Sequence, residues 1–133
     1  MDRITLRKTA AVMAGIAVSL FIASALHLSG GVHGRSDMFD PDDAGIAEAI
    51  IGVVLLGAAV AMRRMPAKAR TIGLAATGFA IAGFGVGLTI TSQGGHAPDI
   101  AYHLVVLPIL IGTCVAIARS GKSRGARRAP VAG

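Results

Sequence analysis

Residues Asp40–Arg64 read DPDDAGIAEAIIGVVLLGAAVAMRR, and this stretch decides the fold. Between Asp43 and Arg63 the one acidic or basic side chain is Glu48. A helix needs about 20 predominantly apolar residues to cross the hydrocarbon core of a bilayer, and the run from Ala44 to Met62 is of that order. Its start carries the signals of a helix amino terminus. Asp40 is placed to cap, Pro41 suits the first helical position, and Asp42 and Asp43 suit the positive end of the helix dipole. Arg63 and Arg64 close the run with positive charge.

Working outward, three more stretches have the same character. Thr9 to Leu28 contains no Asp, Glu, Lys or Arg and follows a short basic segment with Arg3, Arg7 and Lys8. The third run covers residues 71–91 and the fourth residues 100–118. The expected architecture is therefore an all-α integral membrane four-helix bundle, with spans at about 9–28, 44–62, 71–91 and 100–118. It would occupy residues 1–119, with residues 120–133 as a basic, disordered cytoplasmic tail. A second reading exists for the first run, because Ala23-Ser24-Ala25 has the small-x-small form of a signal-peptide cleavage site.

Composition agrees with the membrane reading. Of 133 residues, 53% are apolar, and there is one Tyr and no Trp. Mean hydropathy is +0.68. A soluble domain of this size needs a more polar surface. The formal charge of +6 would suggest nucleic acid if it formed one patch. Here the cations lie in short blocks between apolar runs, which is a topology signal, so no nucleic-acid partner is expected. Every Lys and Arg except Arg35 falls in the amino-terminal segment, the turn at 63–70 or the carboxyl-terminal tail. With an even number of spans these share one side. Both termini are expected to be cytoplasmic, in an inner (cytoplasmic) membrane, with two outward loops. The lone Cys114 cannot form an internal disulfide and reads as a small apolar filler.

Lipid tails remove the usual hydrophobic drive between helices, so close contact through small residues takes its place. Gly83 and Gly87 form a GxxxG pair in the third run, and Gly45, Ala49 and Gly52 form a stripe in the second. These serve either packing within the bundle or pairing with a second copy. Pro108 predicts a kink in the fourth span. The outward loops share a loose likeness, Ser29-Gly30-Gly31-Val32-His33 beside Ser92-Gln93-Gly94-Gly95-His96, as a parallel duplication would produce.

The chemistry-bearing residues gather toward the expected outer face. His33 and His96 are in loops. His27 is near the outer end of the first span, Glu48 about one turn into the second, and His103 about one turn into the fourth. Ionisable groups within a span are costly and usually face the bundle interior or a watery cavity. Asp99 and His103 are four apart on one helix face, so the Asp99 carboxylate is expected to hold one imidazole nitrogen. Three readings stay open. The polar groups could simply bond helices together. They could form a quinone- or proton-handling site of His27, Glu48, Asp99, Tyr102 and His103. His27 and His103 could bind a metal, or haem as axial ligands. No HxxxH, HExxH or CxxC pattern is present, and no nucleophile elbow, Walker loop or dinucleotide fingerprint. The run Gly83-Phe84-Gly85-Val86-Gly87 sits within an apolar span, not after a strand.

The second span has the pattern Gly45-x-x-Glu48-x-x-x-Gly52-x-x-Leu55-Leu56-Gly57, followed by basic residues and another small-residue helix. Over residues 44–80 this resembles the DoxX-like group of small bacterial four-helix membrane proteins. The resemblance implies a four-helix inner-membrane protein, sometimes tied to quinone-linked or redox-protective complexes. It carries over Glu48 and Gly52 by position and assigns them no catalytic role. The leading expectation is an accessory or interaction subunit of a membrane complex, no enzyme by itself and without a cofactor. The lipid bilayer and a membrane-protein partner or second copy would be its surroundings. The alternative is a redox-linked subunit that binds quinone, protons, metal or haem at the outer face.

Overall fold

A computed structural model describes residues 1–32 and 40–120. His33, Arg35 and the basic segment after Ser120 lie outside the described residues. Four helices follow one another: α1 (Arg3–Leu28), α2 (Pro41–Arg64), α3 (Ala69–Gly94) and α4 (Ala97–Arg119). All four are long and apolar enough to cross a membrane. The 26 residues of α1 or α3 extend about 39 Å at the helical rise, against a hydrocarbon core of about 30 Å. By length and hydropathy the chain is a multi-pass membrane protein, folded as an all-α four-helix bundle.

Each helix extends past its apolar run, and in α1 and α2 a capping side chain in the polar flank fixes the start. Asp2 caps α1: its Oδ1 accepts the Thr5 N–H at 2.8 Å and its Oδ2 the Thr5 hydroxyl at 2.7 Å. Those two bonds, the backbone one foremost, hold the Asp2 carboxyl below the usual carboxylate range. Arg3, Arg7 and Lys8 are thereby part of the helix. Asp40 caps α2 through Asp42 N–H at 2.9 Å, with Pro41 in the first turn. α4 starts at Ala97, so Pro98 stands one residue inside the helix. α4 runs unbroken through Pro108.

α1 ends in a Schellman turn. Gly30 N–H donates to His27 O and Gly31 N–H to Leu26 O, and Gly30 takes the left-handed conformation, φ 72°, that this motif demands. The likeness between the α1–α2 and α3–α4 loops does not extend to conformation. Ser92, Gln93 and Gly94 belong to the last turn of α3, whereas Ser29 and Gly30 lie beyond α1.

Contacts between helices set the direction of each. Leu28 at the end of α1 packs on Gly45 at the start of α2. At the other end, Met62 and Ile117 close over Gly73, and Arg70 Nη2 donates to Ala118 O at 3.3 Å. Hence the Arg63–Arg70 turn, the end of α4 and the start of α1 share one end of the bundle. The core runs through Met13, Leu20, Leu55, Met62, Phe84 and Leu110, all essentially fully buried. α1 lies against α2 more extensively than any other pair, and Ser24 is buried in the bundle. Val18, Val53, Val86, Leu104 and Val105 face outward, as a lipid-facing surface requires.

The glycine stripes divide between neighbours. A Cβ on Gly83 would lie 2.6 Å from Ile51 Cδ1 of α2, and one on Gly87 2.6 Å from His103 Nε2 of α4. A Cβ on Gly52 would lie 2.8 Å from the Phe21 ring of α1. Each residue of the GxxxG pair thus seats a different helix of this same chain. Gly57, Gly78 and Gly85 have open space where a side chain would go.

Candidate functional site

Opposite the basic turn, three helices bring ionisable side chains together. His27 is the second-last residue of α1, held there by the Schellman turn that follows it. Glu48 is on α2, two turns after the Asp40 cap. Asp99 is in the first turn of α4. His27 Nδ1–H donates to Glu48 Oε2 at 2.8 Å, and both side chains are buried. His27 Nε2 lies 3.8 Å from Asp99 Oδ1. The result is a carboxylate–imidazole–carboxylate row across α2, α1 and α4. Small residues allow this approach: Gly45 of α2 lies against His27 Cβ.

The Asp99 carboxylate does not hold His103, contrary to the expectation from their spacing. His103 Nδ1–H donates instead to the backbone carbonyl of Asp99 at 2.8 Å. That oxygen lies one helical turn below the imidazole, within reach of its Nδ1–H, and the Asp99 side chain turns inward to α1. Asp99 Oδ2 is buried and has no hydrogen-bond partner among the described residues. In the neutral tautomer fixed by its Nδ1–H bond, His103 presents Nε2 as an acceptor, packed over Gly87. Its ring also meets Phe84, with centroids 5.1 Å apart.

Tyr102 stands beside this row and turns to another partner. Its hydroxyl is 2.8 Å from Ser19 Oγ, and the Ser19 hydroxyl also meets Ile16 O at 2.8 Å. Ser19 is thus the anchor for Tyr102. Tyr102→Phe is expected to cost about 0.6–1.5 kcal/mol, read as a lower midpoint in denaturing-detergent titration. An unchanged midpoint would mean that the α1–α4 bond contributes nothing.

Two cavities flank the row. The larger, about 630 Å³, lies between α2 and α3. Its walls are Ala47, Ile51, Phe79, Ala82, Val86 and Ile90, and its polar end holds Asp40, Asp43, Glu48, Asp99, His27 and His103. Phe79, Val86 and Ile90 are also exposed on the bundle surface, so this cavity opens sideways. The smaller, about 300 Å³, lies between α1 and α4 beside Ser19 and Tyr102. His27 and Asp99 line both. Asp40 and Asp43, which the sequence offers as helix-start residues, acquire this second position through the splay of α2 from α3.

No protein-family model, curated protein or solved structure matches this chain.

His27 and His103 border the same cavity, each with its Nδ1 bonded, to Glu48 and to the Asp99 carbonyl. Among the described residues no three of His, Cys, Asp and Glu come together in a metal-holding group. His96 caps α4 by position, without a side-chain bond.

Proposed function

We propose that this protein is a membrane-embedded binding protein for a small amphipathic molecule. The carrying observation is the row of Glu48, His27 and Asp99 at the polar end of an apolar, laterally open cavity of about 630 Å³. Drug-sized ligand sites have this form, an apolar enclosure with a few convergent polar groups, and this volume. Ionisable groups inside a span are costly and mark such sites more often than lipid-facing surface. The basic turn and the Arg-bearing helix ends at the opposite end support an orientation with the cavity toward the outer leaflet and both termini in the cytoplasm. Residues 44–80 resemble the DoxX-like pattern, and both residues it carries over have a place in this reading. Glu48 supplies the central carboxylate, and Gly52 seats Phe21 so that α1 can bring His27 to it.

An accessory subunit would use the same polar groups only to join helices. Native mass spectrometry of protein extracted in mild detergent separates the two. The binding reading expects a bound small molecule, displaced in Ala82→Phe, which fills the cavity from an exposed position, with helix content unchanged. If Ala82→Phe and the parent carry identical masses beyond the substitution, the cluster is a fastening and the binding reading fails.

A further inference from the structure

We infer that the ligand is a cationic amphiphile, an ammonium or related cation on an apolar body, entering sideways between α2 and α3. This rests on the binding reading above and adds the chemical class. The polar end of the larger cavity is rich in acceptors and poor in donors. Four carboxylates line it, Asp40, Asp43, Glu48 and Asp99, with two imidazoles and, among the described residues, no Lys or Arg. With the carboxylates ionised, the sum stays negative whether or not both imidazoles are protonated.

The imidazole Nδ1–H and phenol donors that a neutral carbonyl ligand such as a quinone would use are committed elsewhere, which leaves the Thr91 hydroxyl on the cavity wall. His27 Nδ1–H goes to Glu48 and His103 Nδ1–H to the Asp99 carbonyl. The Tyr102 hydroxyl meets Ser19 and faces the smaller cavity. One acceptor, by contrast, lacks a donor: Asp99 Oδ2 is buried and has no hydrogen-bond partner among the described residues. A buried carboxylate oxygen without a donor is costly, and an ammonium placed there would supply both charge and N–H. Among the described residues the side walls carry Ala, Gly, Val, Ile, Leu and Phe with one hydroxyl residue, Thr91, and the apolar part matches an alkyl or aromatic body. Because Phe79, Val86 and Ile90 line the cavity and face outward as well, the body can arrive from the lipid with its head directed to Asp99.

The test uses the full chain in phosphatidylcholine nanodiscs and four probes with one decyl tail: decylammonium, decanol, decanoate and decylubiquinone. Binding is measured by calorimetry with empty discs subtracted. Decylammonium is expected to bind about tenfold tighter than decanol, with decanoate weakest. Asp99→Asn should weaken decylammonium by about five- to tenfold and leave decanol unchanged. Asp43→Asn, at an exposed site where folding is not in question, should weaken the same probe in the same direction. Ala82→Phe should abolish binding of every probe. Equal affinity for the alcohol and the ammonium, or indifference to both Asp substitutions, overturns the cationic class. Preferential binding of decylubiquinone that Ala82→Phe removes also overturns it while the binding reading stands. If no probe shows binding sensitive to Ala82→Phe, both fall.

Discussion

Glu48→Leu is expected to lower the unfolding free energy by about 3–5 kcal/mol, measured by titration from mild into denaturing detergent. The substitution removes one member of a buried pair joined at 2.8 Å and leaves His27 facing Asp99 with its main partner gone. Glu48→Gln should cost much less, because the amide oxygen still accepts from His27 Nδ1–H. His27→Leu should resemble Glu48→Leu. The double substitution His27→Leu/Glu48→Leu should cost clearly less than the two singles added, since apolar replacement of both partners removes the uncompensated charge. Asp99 limits that recovery, because it too loses the imidazole. Additive single effects would show that the bond, though short, does not couple α1 to α2 in the membrane.

Gly52→Val should be the most damaging change among the glycines, with Gly87→Val close behind. At Gly52 the new atoms meet the Phe21 ring edge, a rigid neighbour, with the first Cβ already 2.8 Å away. At Gly87 they meet the His103 imidazole at 2.6 Å, which its bond to the Asp99 carbonyl holds in place. Overfilling of this kind costs about 1–3 kcal/mol, and in lipid no hydrophobic drive between helices offsets it. Gly83→Ala presses only on the movable tip of Ile51 and should cost less. Gly78→Ala and Gly85→Ala meet nothing within 4 Å and should gain about 0.5–1 kcal/mol from the stiffer helix. The ordering separates contact within the chain from pairing between copies. If Gly85→Ala harms stability as much as Gly87→Ala, a second molecule covers the face that stands open here.

The site was partly legible before the structure. His27, Glu48 and His103 could be placed at one depth because helical rise converts position along a span into distance from its end. Their sideways relations could not be read, since rotation of each helix about its axis depends on which small residues face which neighbour. Thus the spacing of Asp99 and His103 suggested a bond between their side chains, whereas the carboxylate turns to α1 and the backbone carbonyl serves His103. Ser19 as the partner of Tyr102, and Asp40 and Asp43 beside the cavity, lie beyond any local pattern.

By itself the sequence determined the four apolar helices, the Asp40–Pro41 start of α2 and the gathering of Lys and Arg into separate blocks. Each follows from local chemistry: hydropathy over one span, an orphan N–H at a helix start, charge next to an apolar run. Only the tertiary structure decided that Glu48, His27 and Asp99 meet, that Gly83 and Gly87 seat different helices, and that α2 and α3 part to leave an acid-ended cavity. Those outcomes depend on how closely backbones approach at particular glycines, and that distance belongs to pairs of helices, never to one alone.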